Sequence, residues 1–156
     1  MLKLNYGAYR FILRGEKAMN LTKVKRIIEG IFKEMDIDFE YEVKDDKINA
    51  SARVNFEDLD AVGFCSFTFF ASGMVMYRVL FDEIDEEDEE VCQLLNEFNK
   101  NSWLFKATAD EYLTVEHTVC TMHEEDIEDY TGLIFEEFIS DDFTEYLKPL
   151  IDLCEN

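Results

Sequence analysis

Between Leu21 and Met35 the apolar residues recur as Leu21, Val24, Ile27, Ile28, Ile31, Phe32 and Met35. Steps of three and four bring them to one side of a helix, so the segment is predicted to be an amphipathic α-helix. Lys23, Lys25, Arg26 and Lys33 occupy its other side. The period then changes to two. Phe39, Tyr41 and Val43 alternate with Glu40 and Glu42, and after Lys44-Asp45-Asp46-Lys47 the alternation resumes as Ile48, Ala50, Ala52, Val54 and Phe56. Two such runs around a short polar link predict a hairpin, with Val43 opposite Ile48 and both apolar sets on one face. Residues 1–16, where Leu2, Leu4 and Tyr6 and then Tyr9, Phe11 and Leu13 alternate around Gly7, read as an extended arm preceding a single domain at residues 17–156.

A second hairpin is predicted from Phe64–Ala71 and Met74–Asp82, joined by Ser72-Gly73, whose glycine suits a two-residue primed turn. In that register Ala71 opposes Met74 and Phe64 opposes Phe81. One face then carries Phe64, Ser66, Thr68, Phe70, Val75, Tyr77, Val79 and Phe81, and the other Cys65, Phe67, Phe69, Ala71, Met74, Met76, Arg78 and Leu80. Both are largely apolar, whereas helices of the same chain readily cover one. The other face is therefore expected to meet a partner polypeptide or a second copy in a homodimer, through Phe67, Phe69, Met74 and Met76. The opposite face is the alternative, because this register is inferred.

Eight of the nine residues from Asp82 to Glu90 are acidic, and Val91, Leu94, Leu95 and Phe98 follow at helical spacing. Carboxylates are favoured at a helix start by its free N–H groups and dipole. A third hairpin is predicted from Trp103–Ala109 and Tyr112–Met122, then a terminal helix with a kink or new cap at Ser140-Asp141-Asp142. The fold class is α+β: a two-layer sandwich of one antiparallel sheet with helices packed on one face, in the order helix, strands, helix, two strands, helix.

Charge narrows the range of partners. The chain is 47% hydrophobic yet has a net charge of −21. Residues 1–35 hold eight Lys/Arg against three Glu, and residues 36–156 hold seven against 33 Asp/Glu. Such a surface repels phosphates and argues against nucleic acid as a ligand, the basic first helix being the one exception. Steering should favour a basic or neutral polypeptide, with association slowed by added salt. No apolar stretch approaches the roughly 20 residues of a membrane span, and the first residues lack the apolar core of a signal peptide. Cys65, Cys92, Cys120 and Cys154 lie 27, 28 and 34 residues apart without a CxxC pair, which fits reduced thiols and a cytoplasmic location.

Candidate chemistry is sparse. His117, Cys120 and His123 have ligand-like letters, but on a strand His117 and Cys120 point to opposite faces and His117 and His123 stand about 20 Å apart. His117 is instead expected to be a neutral core-facing histidine. Cys65 or Cys120 with His117 could compose a nucleophilic dyad, although no motif surrounds either cysteine. The acidic run lacks the glycine and alternating ligands of an EF-hand, and no phosphate-binding, dinucleotide, zinc-protease or hydrolase motif is present. No catalytic, cofactor-binding or metal-binding residue is assigned.

The run Val91-Cys92-Gln93-Leu94-Leu95-Asn96-Glu97-Phe98-Asn99, followed by Trp103-Leu104-Phe105-Lys106 and the hairpin to Met122, resembles the middle helix and following strands of YbjN-like bacterial proteins. Residues 20–154 are similar in element order to these proteins and to type III secretion chaperones. The chain departs from the chaperones in its N-terminal arm, in having four strands before the middle helix where they have three, and in its long terminal helix. The resemblance implies dimeric proteins that bind an extended stretch of another protein, or regulators, without a cofactor. The chain is thus expected to be a non-enzymatic, acidic protein-interaction domain, chaperone-like or regulatory. The alternatives are a small-ligand-binding protein or enzyme with no readable motif, and an acidic nucleic-acid mimic.

Overall fold

The Leu21 pattern forms helix α1, Leu21–Glu34, with Val24, Ile28 and Phe32 buried. Asn20 caps it, its side-chain oxygen accepting from the Lys23 N–H at 3.2 Å. The computed structural model describes residues 18–120 and 122–155, so the arm expected over residues 1–16 lies outside them. Four strands follow α1: β1 (Glu40–Val43), β2 (Lys47–Phe56), β3 (Ala61–Phe70) and β4 (Val75–Glu83). After helix α2 (Glu89–Asn101) come β5 (Lys106–Ala109) and β6 (Tyr112–Val119), then helices α3 (Ile127–Phe138) and α4 (Asp141–Asp152).

All strand pairs are antiparallel and form one sheet in the order β1-β2-β3-β4-β6-β5. The helices cover one of its faces, so the expected α+β two-layer architecture is the one observed. Beneath them Ile48, Ala50, Cys65, Phe67, Tyr77 and Val115 are fully buried. Aromatic rings fill the layer between. Phe32 stacks on Phe39 with centroids 3.8 Å apart, Phe67 meets Tyr77 edge-on at 5.2 Å, and Phe138 of α3 stacks on Phe105 at 5.0 Å. Gly63 is the closest point of this packing. A Cβ there would lie 2.6 Å from a Val79 methyl and 2.7 Å from the Phe56 ring.

The first hairpin has the expected register, Val43 opposite Ile48. The second does not. Phe64 pairs with Leu80 and Phe69 with Val75, one residue away from the two-residue turn. The connection is three residues long: Gly73 N–H donates to the Phe70 carbonyl and Phe70 N–H to the Met74 carbonyl, each at 2.9 Å, and Gly73 takes φ +89°. That is a type I turn closed by a left-handed glycine. Ala71 is drawn out of the ladder because its two backbone groups are used elsewhere. Its N–H donates to the Asp46 carbonyl and its carbonyl accepts from Met19 N–H, both at 2.8 Å. A one-residue slip re-sorts every side chain of one strand relative to the other.

Two further elements begin later than expected. The acidic run ends β4 and crosses a turn before Asp88 caps α2 by accepting from Glu90 N–H at 2.8 Å. β5 starts at Lys106 rather than Trp103, because Ser102 Oγ accepts from Phe105 N–H at 3.1 Å and holds the entry as a turn. Asn99 then grips Ala107 from outside, its amide oxygen accepting the Ala107 N–H at 2.7 Å and its amide nitrogen donating to the Ala107 carbonyl at 2.8 Å. This pair of bonds imitates a neighbouring strand and blunts the β5 edge. At the end of the chain, Ser140 is the new cap, accepting from Phe143 N–H at 3.2 Å.

Candidate interaction surface

The slip decides which residues face solvent. Phe67 and Phe69, expected to touch a partner, are 0% exposed and lie under the helices. Met76 is half-buried on the uncovered face and Met74 is half-buried at the β3–β4 turn. The face that the described residues leave uncovered is composed instead of Val62, Phe64, Ser66, Thr68 and Phe70 from β3, with Met76, Arg78 and Leu80 from β4. Val62 is 52% and Phe64 44% exposed. Beside them stand Lys47, Asn49, Ser51, Arg53 and Asn55 of β2 and Thr114, Glu116 and Thr118 of β6.

Several of its polar groups are paired with one another. The Asn49 side-chain oxygen accepts from Ser66 Oγ at 3.0 Å and from Thr68 Oγ1 at 2.9 Å. Arg78 donates through Nε and Nη2 to one Glu116 oxygen, at 3.1 and 2.9 Å. Lys47 places its ammonium 5.6 Å from the Phe70 ring centroid. Groups already paired lose less when water is removed.

The charge balance of this face differs from that of the rest of the chain. Lys106 reaches round the β5 edge to the Asn99 carbonyl at 2.8 Å. With it, the strand charges on the face are Lys47, Arg53, Arg78 and Lys106 against Glu40, Glu42, Glu83 and Glu116, four of each sign. The described residues hold 11 Lys/Arg and 35 Asp/Glu, so outside this face seven stand against 31. A near-neutral platform therefore sits on a strongly anionic body. The basic side of α1 is partly neutralised, with Lys23 3.1 Å from Glu124 and Lys25 3.3 Å from Glu29.

The candidate chemical groups are dispersed. His117 faces the covered side, stacked on Tyr130 of α3 and edge-on to Phe105, with Nε2 2.7 Å from the Tyr130 hydroxyl. Burial lowers its pKa below the usual histidine value, and a hydrogen bond to the Leu104 backbone works against that shift. Cys65 is fully buried, and burial pushes its thiol up to about 12. Cys120 and His123 are exposed beyond the end of β6. Among the described residues no three His, Cys, Asp or Glu side chains gather as a metal site, and no helix is long and apolar enough to cross a membrane. The acidic turn lines an open cleft of about 330 Å³ with Glu83, Asp85, Glu86, Glu87, Glu111 and Glu155.

Sequence reasoning named the face of Phe64 only as the alternative and did not include Val62, and these two are the exposed apolar residues of the face. The available signal was the pair of hydroxyls at Ser66 and Thr68, which share a face with Phe64 in any strand pairing.

No protein-family model matches the chain, and no curated protein matches it by sequence. Among solved structures it is similar to the crystal structure of YbjN from E. coli, a proposed transcription regulator, with a TM-score of 0.54 and 14% identity. The match covers 83% of this chain and 93% of that one. The likeness is one of fold over most of the length, and the chain has the YbjN-like fold.

Proposed function

We propose that this protein is a non-enzymatic interaction domain that works by contacting another polypeptide through its uncovered sheet face, in a regulatory or chaperone-like role in the cytoplasm. The observation that carries the reading is the near-neutral platform with Val62 and Phe64 exposed, in a protein whose other described residues include 31 acidic ones. Apolar contact supplies lasting affinity, while the anionic surround excludes phosphate-bearing ligands. The regulatory sense agrees with the proposed role of YbjN. Here regulation would run through protein contact rather than through nucleic acid. Four free thiols suit a reducing compartment.

The test is site-specific photo-crosslinking in living cells with a reactive residue at Val62, and at Ile139, 75% exposed on the helical layer, as the comparison. Polypeptide adducts from position 62 and not from position 139 are expected. Adducts confined to position 139, or to nucleic acid, would overturn the assignment.

A further inference from the structure

We infer that the face left open by the described residues is occupied by this chain's own N-terminal segment, residues 1–17, laid along β3 with Phe11 at the level of Phe64 and Tyr9 at that of Val62. The inference rests on the interaction reading above and supplies its regulation, since a partner polypeptide then reaches the face by displacing the segment. The point at which the described chain begins favours this occupant. Met19 is buried, and its N–H donates to the Ala71 carbonyl at 2.8 Å, while the Ala71 N–H holds Asp46 of the β1–β2 turn. Ala18 therefore enters at one end of the sheet, between the β1–β2 and β3–β4 turns. The first rung of the uncovered face, Phe70 opposite Lys47, lies at that same end.

Reach and pattern fit the placement. At about 3.3 Å per residue, Phe64 and Val62 stand about 20 and 26 Å along β3 from Phe70. Counted back from Ala18, an extended backbone carries Phe11 about 23 Å and Tyr9 about 30 Å over the same path. Tyr9, Phe11 and Leu13 recur at every second position, so one side of such a segment presents three apolar side chains in a row. That row meets the exposed pair Val62 and Phe64, with Leu80 beside Phe64.

Charge and tethering favour this segment over a foreign one. Residues 1–17 hold Lys3, Arg10, Arg14 and Lys17 against Glu16, a net +3. The described residues hold 11 Lys/Arg against 35 Asp/Glu, a net −24. The field of the whole body draws the segment in, and its apolar row selects the face within that body. Attachment at Met19 gives the segment an effective concentration of about a millimolar, so a contact too weak to hold a free peptide is filled here and still yields to a stronger partner.

A benzophenone side chain at Val62 of the purified full chain, at low micromolar concentration, reads the contact. Irradiation and peptide mass spectrometry should find links within one chain to residues 7–13, and none from a probe at Ile139. A mixture of isotope-labelled and unlabelled protein separates links within a chain from links between chains. Phe11→Asp should cut the yield about tenfold, the loss expected for one buried ring. Added salt should lower it too, because opposite charges are screened. Links from Val62 that miss residues 1–17, that join labelled to unlabelled chains, or that are indifferent to Phe11→Asp would overturn the inference. The same probe in cells separates it from the interaction reading. Adducts to another polypeptide, without links to residues 1–17 in the purified protein, would leave the interaction reading standing alone. Links to residues 1–17 with no other polypeptide captured, even with Phe11→Asp, would remove that reading and keep the inference.

Discussion

On β3 the same seven residues, Phe64 to Phe70, supply both the covered and the uncovered face of the sheet, and the two differ in how the aromatic residues are separated. On the covered side Cys65, Phe67 and Phe69 follow one another, and each is fully buried against other core side chains. Across the strand, Phe64 and Phe70 are separated by Ser66 and Thr68, whose hydroxyls are held by Asn49. One polar group enters the core beside this run: the Tyr77 hydroxyl, 3.0 Å from Thr131 Oγ1, with burial raising its pKa. Apolar content alone does not separate an interior face from a contact face. The spacing of small polar residues does, because two hydroxyls can be wetted or paired in the open and would need partners under a helix.

The sharpest way to break this comparison is to truncate one ring on each face. Phe67→Ala should cost about 3–5 kcal/mol, through lost burial and a cavity, whereas Phe64→Ala should stay within about 0.5 kcal/mol. Urea unfolding at low protein concentration reads both, and the reverse ranking would mean that the strand faces the other way. A smaller effect is expected at Gly63, where the covered face is packed most tightly. Gly63→Ala forces Val79 and Phe56 to move and should destabilise by about 1–3 kcal/mol, visible in the same unfolding midpoint.

The smallest effect is a pH dependence at the edge of the covered face. Burial holds the folded His117 below the ordinary histidine pKa, so the unfolded chain takes up the proton first as pH falls below about 6.5. His117 therefore contributes full stability above that pH, and the contribution is lost as pH falls through the lowered folded value. The difference in urea midpoint between wild type and His117→Gln should shrink from neutral to mildly acid pH. A difference independent of pH would place His117 in water instead of against Tyr130.

Much of the architecture was legible in the chain because it depends on local chemistry. Helix α1 follows from three- and four-residue spacing, and α4 from a serine that can cap its first turn. The Val43–Ile48 register was readable because Tyr41 and Val43 leave only one pairing that puts both strands' apolar sets together. Val43 remains 56% exposed all the same, since it lies on a four-residue edge strand with little above it. Of the four residues nominated for a partner, Met76 lies half-buried on the uncovered face, whereas Phe67 and Phe69 lie under the helices.

By itself the sequence determined the order of elements, their periods, the new cap at Ser140, and a net charge of −21. Each of these is set by residues within a few positions of one another. The β3–β4 register could be decided only by the tertiary structure. Ser72-Gly73 accommodates both a two-residue and a three-residue turn, and both strands are apolar enough for either pairing to bury one face. The choice falls to Ala71, whose carbonyl is held by Met19 and whose N–H is held by Asp46. Those hydrogen bonds join segments distant along the chain, and they determine whether Phe67 or Phe64 meets solvent.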